Sequence, residues 1–318
     1  MVRVPLVDAS VRVAPRSIGV GLVLLAVLLV LLVASVGTGE FSIPPAEVVS
    51  TLLGGGDQST RFVIETLRLP RAVTGALVGG ALGAAGAIFQ SVTRNPLGSP
   101  DIVGFVQGAS AGAVLEIVVL GGGTFAIAAG AVVGGVATAI LVYALAFQGG
   151  VQGYRLVLIG IGLSAMLVAV TDYLLTRSTL EQTQAAQVWL TGTLNGRGWE
   201  HVRPIAATLA LLVPLTVLLA RPLRMLELGD DAARALGVAV EPSRLALIFL
   251  AVGLTAVATA STGPIVFVSL AAPQIARRLT RASGPGVGCA ALMGGVLLLA
   301  ADYASQRLFG DLQCPWAW

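Results

Sequence analysis

Runs of mainly apolar residues, most of them long enough to cross a bilayer, recur along this chain and constrain its fold more than any other feature. A membrane-spanning helix needs about 20 such residues, because the hydrocarbon core is roughly 30 Å thick. The chain has 318 residues, 56% of them hydrophobic and only 11% charged, whereas an ordinary soluble domain has about 25% charged residues. So little polar surface cannot cover so much apolar surface in water. The sequence therefore predicts an all-α polytopic membrane protein.

Nine apolar runs predict about nine transmembrane helices in a single domain, residues 1–318. They lie at about 18–36, 69–91, 102–120, 125–147, 155–176, 204–220, 245–261, 264–275 and 287–303. The eighth run is shorter than a full crossing. Polar connections at 37–66 and 177–203 are expected outside the membrane. The stretch Arg94–Asp101 holds two prolines and a glycine, which predicts a loop or re-entrant segment on the cytoplasmic side.

The arginines predict the orientation of the chain. Arg3, Arg12 and Arg16 precede the first run, so the positive-inside rule places the N-terminus in the cytoplasm. With nine crossings, the cytoplasmic side carries twelve of the 19 basic residues and the opposite side seven. The other cytoplasmic arginines lie at Arg94, Arg155, 221–244 and 277–281.

Several functions are disfavoured by residue usage. Every basic residue is an arginine, so the lysine-containing phosphate-binding loop is absent and the chain does not hydrolyse ATP by that route. A net charge of +3 with arginines between apolar runs does not predict nucleic-acid binding. Cys289 and Cys314 have no metal-site or disulfide spacing, and the lone His201 is expected to be solvated. The sequence has no cluster of histidines, cysteines or carboxylates of the kind that would predict an enzyme.

Two polar segments each leave two interpretations open. Arg68 and Arg71 share one helical face at the predicted outer mouth of the second helix. They could bind carboxylates of an external partner, or extend to the membrane interface as arginines commonly do. The segment Leu228–Gly237 predicts a short cytoplasmic helix whose charges suit the helix dipole. It is either a protein-docking helix or an ordinary connection.

The segment Gly263–Arg277 has proline near both ends and glycine at its start, which predicts a broken or short helix. Broken helices at membrane depth occur where they face protein or a cavity, so this segment is a candidate for lining a translocation path. The glycines of the second helix are expected to serve close helix packing; they are Gly75, Gly79, Gly80, Gly83 and Gly86.

Taken together and in order, these segments resemble the iron-siderophore and vitamin B12 (FecCD-type) permease family of bacterial ATP-binding-cassette (ABC) importers. The resemblance runs from about residue 40 to residue 312, and Trp189–Gly196 continuing to Val202 looks like the ferric-siderophore branch. It is carried by Arg68-Leu69-Pro70-Arg71, Gln90 with Arg94-Asn95-Pro96-Leu97, Pro100–Gly104, Trp189–Gly196, Leu228–Gly237, Gly263–Arg277 and Ala301-Asp302.

The resemblance implies ten helices per subunit and two permease subunits, identical or paralogous, around one pore. It implies two ATPase subunits that bind ATP and Mg, an extracytoplasmic substrate-binding protein, and a ferric siderophore as substrate, with no cofactor or metal bound by this chain. Arg68 and Arg71 would dock the binding protein. The loop 221–244 would couple to the ATPase through Leu228, Gly229, Asp230, Ala233, Arg234, Leu236 and Gly237. The implied path or gate residues are Gln90, Asn95, Pro96, Pro100, Gly263, Pro264, Pro273 and Gln274.

Two features depart from the family pattern. Gln274 stands where the family usually has histidine, and an amide still forms hydrogen bonds. Residues 304–318 form an aberrant C-terminus, because Cys314-Pro315-Trp316-Ala317-Trp318 stands where the family continues Leu-Pro-Val-Gly-Val-Val-Thr into a tenth helix. Deleting one base from codons for that family sequence gives Cys-Pro-Trp-Ala-Trp and a stop. We expect a frameshift that removed the last helix; a lineage-specific ending is the alternative.

Other functions remain as alternatives. The chain could be a permease for haem or vitamin B12, or a truncated, non-functional paralogue. An ion-driven secondary transporter would need carboxylates at mid-membrane, and the clearest intramembrane acids, Glu116 and Asp172, lie near helix ends. The leading prediction is a multi-pass permease in the bacterial cytoplasmic membrane, importing ferric siderophores by alternating access.

Overall fold

The computed structural model describes residues 2–3, 10–11, 15–39, 42–148, 150, 152–282 and 284–308, and this part of the chain is predominantly helical. Two short strands, β1 (Val2–Arg3) and β2 (Ser10–Val11), pair antiparallel. The α-helices are α1 Pro15–Gly37, α2 Pro45–Leu52, α3 Gln58–Phe62, α4 Leu69–Thr93, α5 Phe105–Leu115, α6 Thr124–Ala146, α7 Gly153–Thr176, α8 Leu180–Thr191, α9 Trp199–Leu218, α10 Ala220–Glu227, α11 Asp230–Ala235, α12 Val240–Thr262, α13 Val268–Thr280 and α14 Val287–Leu308.

Each of the nine predicted runs corresponds to one of these helices. Among the described residues, seven helices are long and apolar enough to cross a membrane, and a shorter apolar helix, Phe105–Leu120, includes π-helical turns at its end. The remaining run corresponds to α13, which has 13 residues and therefore rises only about 20 Å. The all-helical membrane class is confirmed, whereas the number of complete crossings stays a prediction. Residues 309–318, with Cys314, lie outside the described residues.

The predicted polar connections contain helices that the hydropathy pattern did not indicate. The helix that includes α4 begins at Gln58 and continues to Thr93 through π-helical turns at Val63–Arg68, although the apolar run begins at Leu69. The helix α8 lies in the predicted loop 177–203, and its capping box was readable in the sequence. Hydropathy indicates contact with lipid rather than helix formation, so the sequence did not predict the polar helices that lie outside the membrane.

The helix α4 is the centre of the packing. Its most apolar window is 78% buried. A Cβ atom added to Gly79 or Gly83 would overlap backbone atoms of Gly294 or Ala290 on α14, so these glycines allow the two helices to approach closely. The prediction that the α4 glycines serve packing is confirmed at these positions.

Long-range contacts sort the connections into two ends. At one end, Trp199 Nε1 donates to the Glu65 carbonyl at 2.8 Å and the Thr193 N–H donates to the Thr262 carbonyl at 2.7 Å. At the other end, Arg16 Nε donates to the Leu279 carbonyl at 2.9 Å. Each of these contacts joins segments that the sequence places on the same side of the membrane. The former end is called the outer end below, and the latter the inner end.

The segment predicted to span 264–275 is instead an irregular stretch, residues 263–267, followed by a half helix. Gly263 has φ of 79° and Phe267 has φ of 68°, so the chain turns sharply after α12 and again before α13. Successive contacts of α13 with α4 show that both helices run toward the inner end. The contacts pair Ser269 with Gly86, Gln274 with Gln90, and Arg277 with Ser91.

This half helix differs from the predicted one in its boundaries. It starts four residues later and ends five residues later than expected, and Pro273 lies inside it rather than at its end. Pro273 lacks the N–H that would otherwise bond the carbonyl of Ser269, and it is buried within α13. The prediction of a broken helix holds, with the break at Gly263–Phe267.

Candidate translocation and coupling site

The start of the half helix α13 is fixed by a carboxylate from the loop that follows α4. Asp101 accepts hydrogen bonds from the Phe267 N–H, at 3.4 Å, and from the Ser269 hydroxyl. A carboxylate at a helix N-terminus satisfies free backbone donors and suits the helix dipole. Beside it, the side chain of Phe267 is 70% exposed. The predicted loop and the predicted broken helix therefore meet at one point inside the bundle.

Two glutamines join α13 to α4 near the inner end. The Gln274 amide donates to Gln90 Oε1 at 2.6 Å and to the Pro96 carbonyl at 3.2 Å. Gln90 is buried and donates to the Leu270 carbonyl at 3.2 Å. A satisfied, buried amide network fixes the relative position of its helices. Three of the residues implied as a gate, Gln90, Pro96 and Gln274, are thus brought together.

The other path candidates lie apart from this network. Asn95 Oδ1 accepts from the Leu97 N–H at 2.9 Å, and the Pro100 carbonyl accepts from the Phe105 N–H at 3.2 Å, so both shape the loop. Pro273 is buried within α13. Gly263 and Pro264 lie at the outer end against the Trp189–Gly192 backbone. The eight candidates therefore occupy two levels of the bundle.

The predicted coupling segment forms the short helix α11, held by ion pairs at its start. Asp230 binds Arg244 Nη2 at 2.7 Å and Arg94 Nη2 at 3.5 Å, and Arg244 Nη1 also binds Glu241 at 2.6 Å. The Arg244 side chain is only 5% exposed. Burial acts to raise the pKa of Asp230, but the hydrogen bond and charge of Arg244, with help from Arg94, lower it overall. The coupling helix is thereby tied to α12 and to the loop after α4.

The exposed surface of this segment combines two leucines with an ion pair. Leu228 and Leu236 are 64% and 52% exposed, and Gly229 and Gly237, with φ of 106° and 79°, bracket the helix. Ala233 points inward and is buried, and Arg234 pairs with Asp231 at 3.0 Å on the surface. An open cleft of about 830 Å³ lies between this helix, Arg94 and residues 152–154. A short helix flanked by exposed leucines beside a cleft is suited to docking another protein.

The predicted docking arginines make contacts within the chain. Arg71 forms a two-point ion pair with Asp302 of α14, at 2.7 and 3.3 Å. The Asp302 side chain is only 7% exposed and also accepts from Gln306 at 2.7 Å. Arg68 donates to the Val36 carbonyl at 3.1 Å. An external carboxylate would therefore have to share Arg71 with Asp302.

A second charged junction was not predicted from the sequence. Arg277 Nη2 donates to Ser91 Oγ at 2.9 Å and to Glu227 Oε1 at 3.2 Å, and Ser91 Oγ donates to Glu227 Oε1 at 2.7 Å. It joins α13, α4 and the end of α10. Glu227 and Arg277 are 50 residues apart, and no spacing signal in the sequence pairs them.

The lone histidine is not solvated as expected. His201 Nε2 lies 2.9 Å from Arg197 Nη1, its Nδ1 lies 3.1 Å from Glu200, and its side chain is only 13% exposed. Helix α9 begins five residues before the predicted span and places His201 in its first turn, against the bundle. Among the described residues there is no cluster of three histidine, cysteine or acidic side chains that could hold a metal ion.

This arrangement resembles those of known transport proteins. The chain is 46% identical over 278 residues to the ferric enterobactin transport system permease protein FepG of Escherichia coli (strain K12), covering 87% of this chain and 84% of that protein. It is 42% identical over 301 residues to the achromobactin transport system permease protein CbrC of Dickeya dadantii (strain 3937), covering 93% and 86%.

Its fold is also similar to a solved structure, that of a metal-chelate type ABC transporter in an inward-facing conformation. The TM-score is 0.84 with 29% sequence identity, and the match covers 94% of each chain. Residues 27–317 match the model of the FecCD transport family, and the chain belongs to that family.

Proposed function

We propose that this chain is the transmembrane permease subunit of an ABC importer and that its substrates are ferric siderophores. Two relatives that align with most of the chain carry the names of siderophore transport permeases. The same family and the apolar helices support a multi-pass protein of the bacterial cytoplasmic membrane. The arginines before the first apolar run favour an N-terminus in the cytoplasm. The chain itself forms and breaks no covalent bond.

The observation that carries this proposal is the direct connection between a half helix inside the bundle and an exposed helix outside it. The half helix α13 begins within the bundle at Asp101 and ends beside α10, which leads into α11. A broken helix at membrane depth is suited to lining a path, and a leucine-bearing helix outside the membrane is suited to binding a driving partner. An importer that lacks its own ATPase needs both parts.

The partners follow from this assignment. A second permease subunit, identical or paralogous, completes the pore, and two ATPase subunits bind ATP and Mg and dock on Leu228, Leu236 and the rest of the segment 228–237. An extracytoplasmic binding protein delivers the siderophore to the outer end, where Arg68 and Arg71 lie. The gate is assigned to the level of Gln90, Pro96 and Gln274, with Asn95, Pro100 and Pro273 shaping it, and Gly263 and Pro264 form the outer part of the path.

Reconstitution tests the proposal. The chain is expressed with the adjacent ATPase and permease genes of its source, purified as a complex, and placed in proteoliposomes with the binding protein and a radiolabelled ferric siderophore. We expect iron to accumulate only with ATP, Mg and the binding protein present. Uptake driven by an ion gradient without ATP, or uptake of haem or vitamin B12 in preference to every ferric siderophore tried, would contradict it.

A further inference from the structure

The junction of Glu227, Arg277 and Ser91 lies between the two parts of the proposed mechanism. Glu227 is the last residue of α10, two residues before the glycine that starts the coupling segment's helix α11. Arg277 is on the inner half of α13, and Ser91 is near the inner end of α4. One oxygen of Glu227 accepts from both other side chains. Three helices therefore meet at one carboxylate.

The pair is well placed to transmit force between these helices. The Glu227 and Arg277 side chains are 20% and 31% exposed, so solvent screens their attraction less than that of a surface pair. Charge-assisted hydrogen bonds are stronger and more directional than neutral ones. A displacement of α10 therefore pulls on α13 directly, without passing through the apolar core.

The Arg277 Nε donor is buried and makes no hydrogen bond within the described part of the chain. Arg277 is held in the junction through its Nη2 atom, which binds both Ser91 and Glu227.

We propose that Glu227 and Arg277 are positioning residues that carry the movement of the coupling segment to the half helix α13. When the ATPase displaces α11, the carboxylate of Glu227 moves Arg277 and with it the inner half of α13, including Gln274. The hydrogen bond from Ser91 keeps the Glu227 carboxylate next to α4 during this movement. This inference rests on the proposed function, and it assigns the link between the coupling segment and α13 to one ion pair.

The test compares iron uptake per ATP hydrolysed in the reconstituted complex for the wild type, Glu227→Gln, Arg277→Gln and the double variant. We expect each single variant to lower this ratio at least about fivefold, the lower range of measured coupling between sites, while hydrolysis continues. The double variant should lose no more than either single one, because the pair acts as a unit. Arg278→Gln is the matched control, since Arg278 is the exposed neighbour on the same helix, and it should keep the wild-type ratio.

A distance measurement separates transmission from a merely structural role. Spin labels at the exposed positions Ala232 on α11 and Leu279 on α13, in a background without native cysteines, report both helices. The measured quantity is the distance between equivalent labels in the two permease subunits. In the wild type this distance should change at both positions when ATP binds. In Glu227→Gln it should change at Ala232 only. Equal uptake ratios in all variants, proportional loss of hydrolysis and uptake, or movement of both labels in Glu227→Gln would overturn the proposal. Absence of uptake by the wild type would instead contradict the proposed function.

Discussion

Arg244 shows how a single buried cation can hold the coupling helix in place. Its guanidinium is almost wholly removed from solvent and is neutralised by Asp230 and Glu241. A buried charge without a partner costs several kcal/mol, so the two carboxylates stabilise the fold at this point. The ion pair also fixes the register of α11 against α12, because Asp230 is the first residue of α11.

Asp230→Asn tests this contact. Arg244 keeps Glu241 as a counter-charge, so we expect a loss of about 1–3 kcal/mol in the free energy of unfolding, the usual cost of losing a hydrogen bond to a charged group. The measurement is thermal unfolding of the detergent-purified protein. Asp231→Asn is the matched control, because Asp231 is fully exposed, and it should change stability by less than about 0.5 kcal/mol. Equal losses would show that Arg244 does not depend on Asp230.

The same carboxylate predicts a pH dependence. The pKa of Asp230 in the folded protein lies below its ordinary value of 3.8. A group with a lowered pKa contributes its full stabilisation above the ordinary value and loses it as the pH falls through the folded value. The difference in melting temperature between the wild type and Asp230→Asn should therefore be constant near neutral pH and shrink below pH 3.8. A difference that grows on acidification would contradict this sign.

At the scale of elements, the close approach of α13 to α4 depends on one glycine, Gly86. A Cβ on Gly86 would overlap the Ser269 carbonyl oxygen, whereas a Cβ on Gly80, on the same helix, would meet the Ala291 carbonyl oxygen at an ordinary 3.7 Å. The start of the half helix can therefore lie against α4 only while residue 86 has no side chain.

Gly86→Ala is expected to push α13 away from α4, to cost about 1–3 kcal/mol of stability as an overpacked contact does, and to reduce iron uptake. Gly80→Ala, the matched control, should be neutral or slightly stabilising because its site accepts a methyl group. Thermal unfolding and uptake by the reconstituted complex measure both effects. Wild-type uptake by Gly86→Ala would show that the path does not depend on this close approach.

The elements also show what the sequence could and could not predict. Run length predicted where the long apolar helices lie, because bilayer thickness sets the length of such runs. Glycine and proline at 263–264 predicted the break before α13. The polar helix α8 was missed because hydropathy does not report helices in water. The pairs Arg71–Asp302 and Arg277–Glu227 could not be predicted, since 231 and 50 residues separate their members and many other arginines could equally well have been chosen.

At the scale of the whole molecule, the contacts at each end indicate which connections share a side, and the arginine distribution predicts which side is cytoplasmic. Between Ser59 and Asp231 the chain has five proposed crossings, α4, α5 with its π-helical turns, α6, α7 and α9. An odd number places the two residues on opposite sides. With nine crossings, twelve of the 19 basic residues fall on the side of Asp231, so the positive-inside rule predicts that this side is cytoplasmic.

Cysteine labelling in intact bacterial spheroplasts tests this orientation. Cys289 and Cys314 are first replaced by serine, and Ser59→Cys or Asp231→Cys is introduced, both at exposed positions. We expect a membrane-impermeant maleimide to label Ser59→Cys in intact spheroplasts and Asp231→Cys only after permeabilisation. The reverse pattern would invert the topology, although the odd number of crossings would stand. Labelling of both from outside would mean an even number of crossings between them, and α5, the shortest of the five helices, would then be the segment that fails to span.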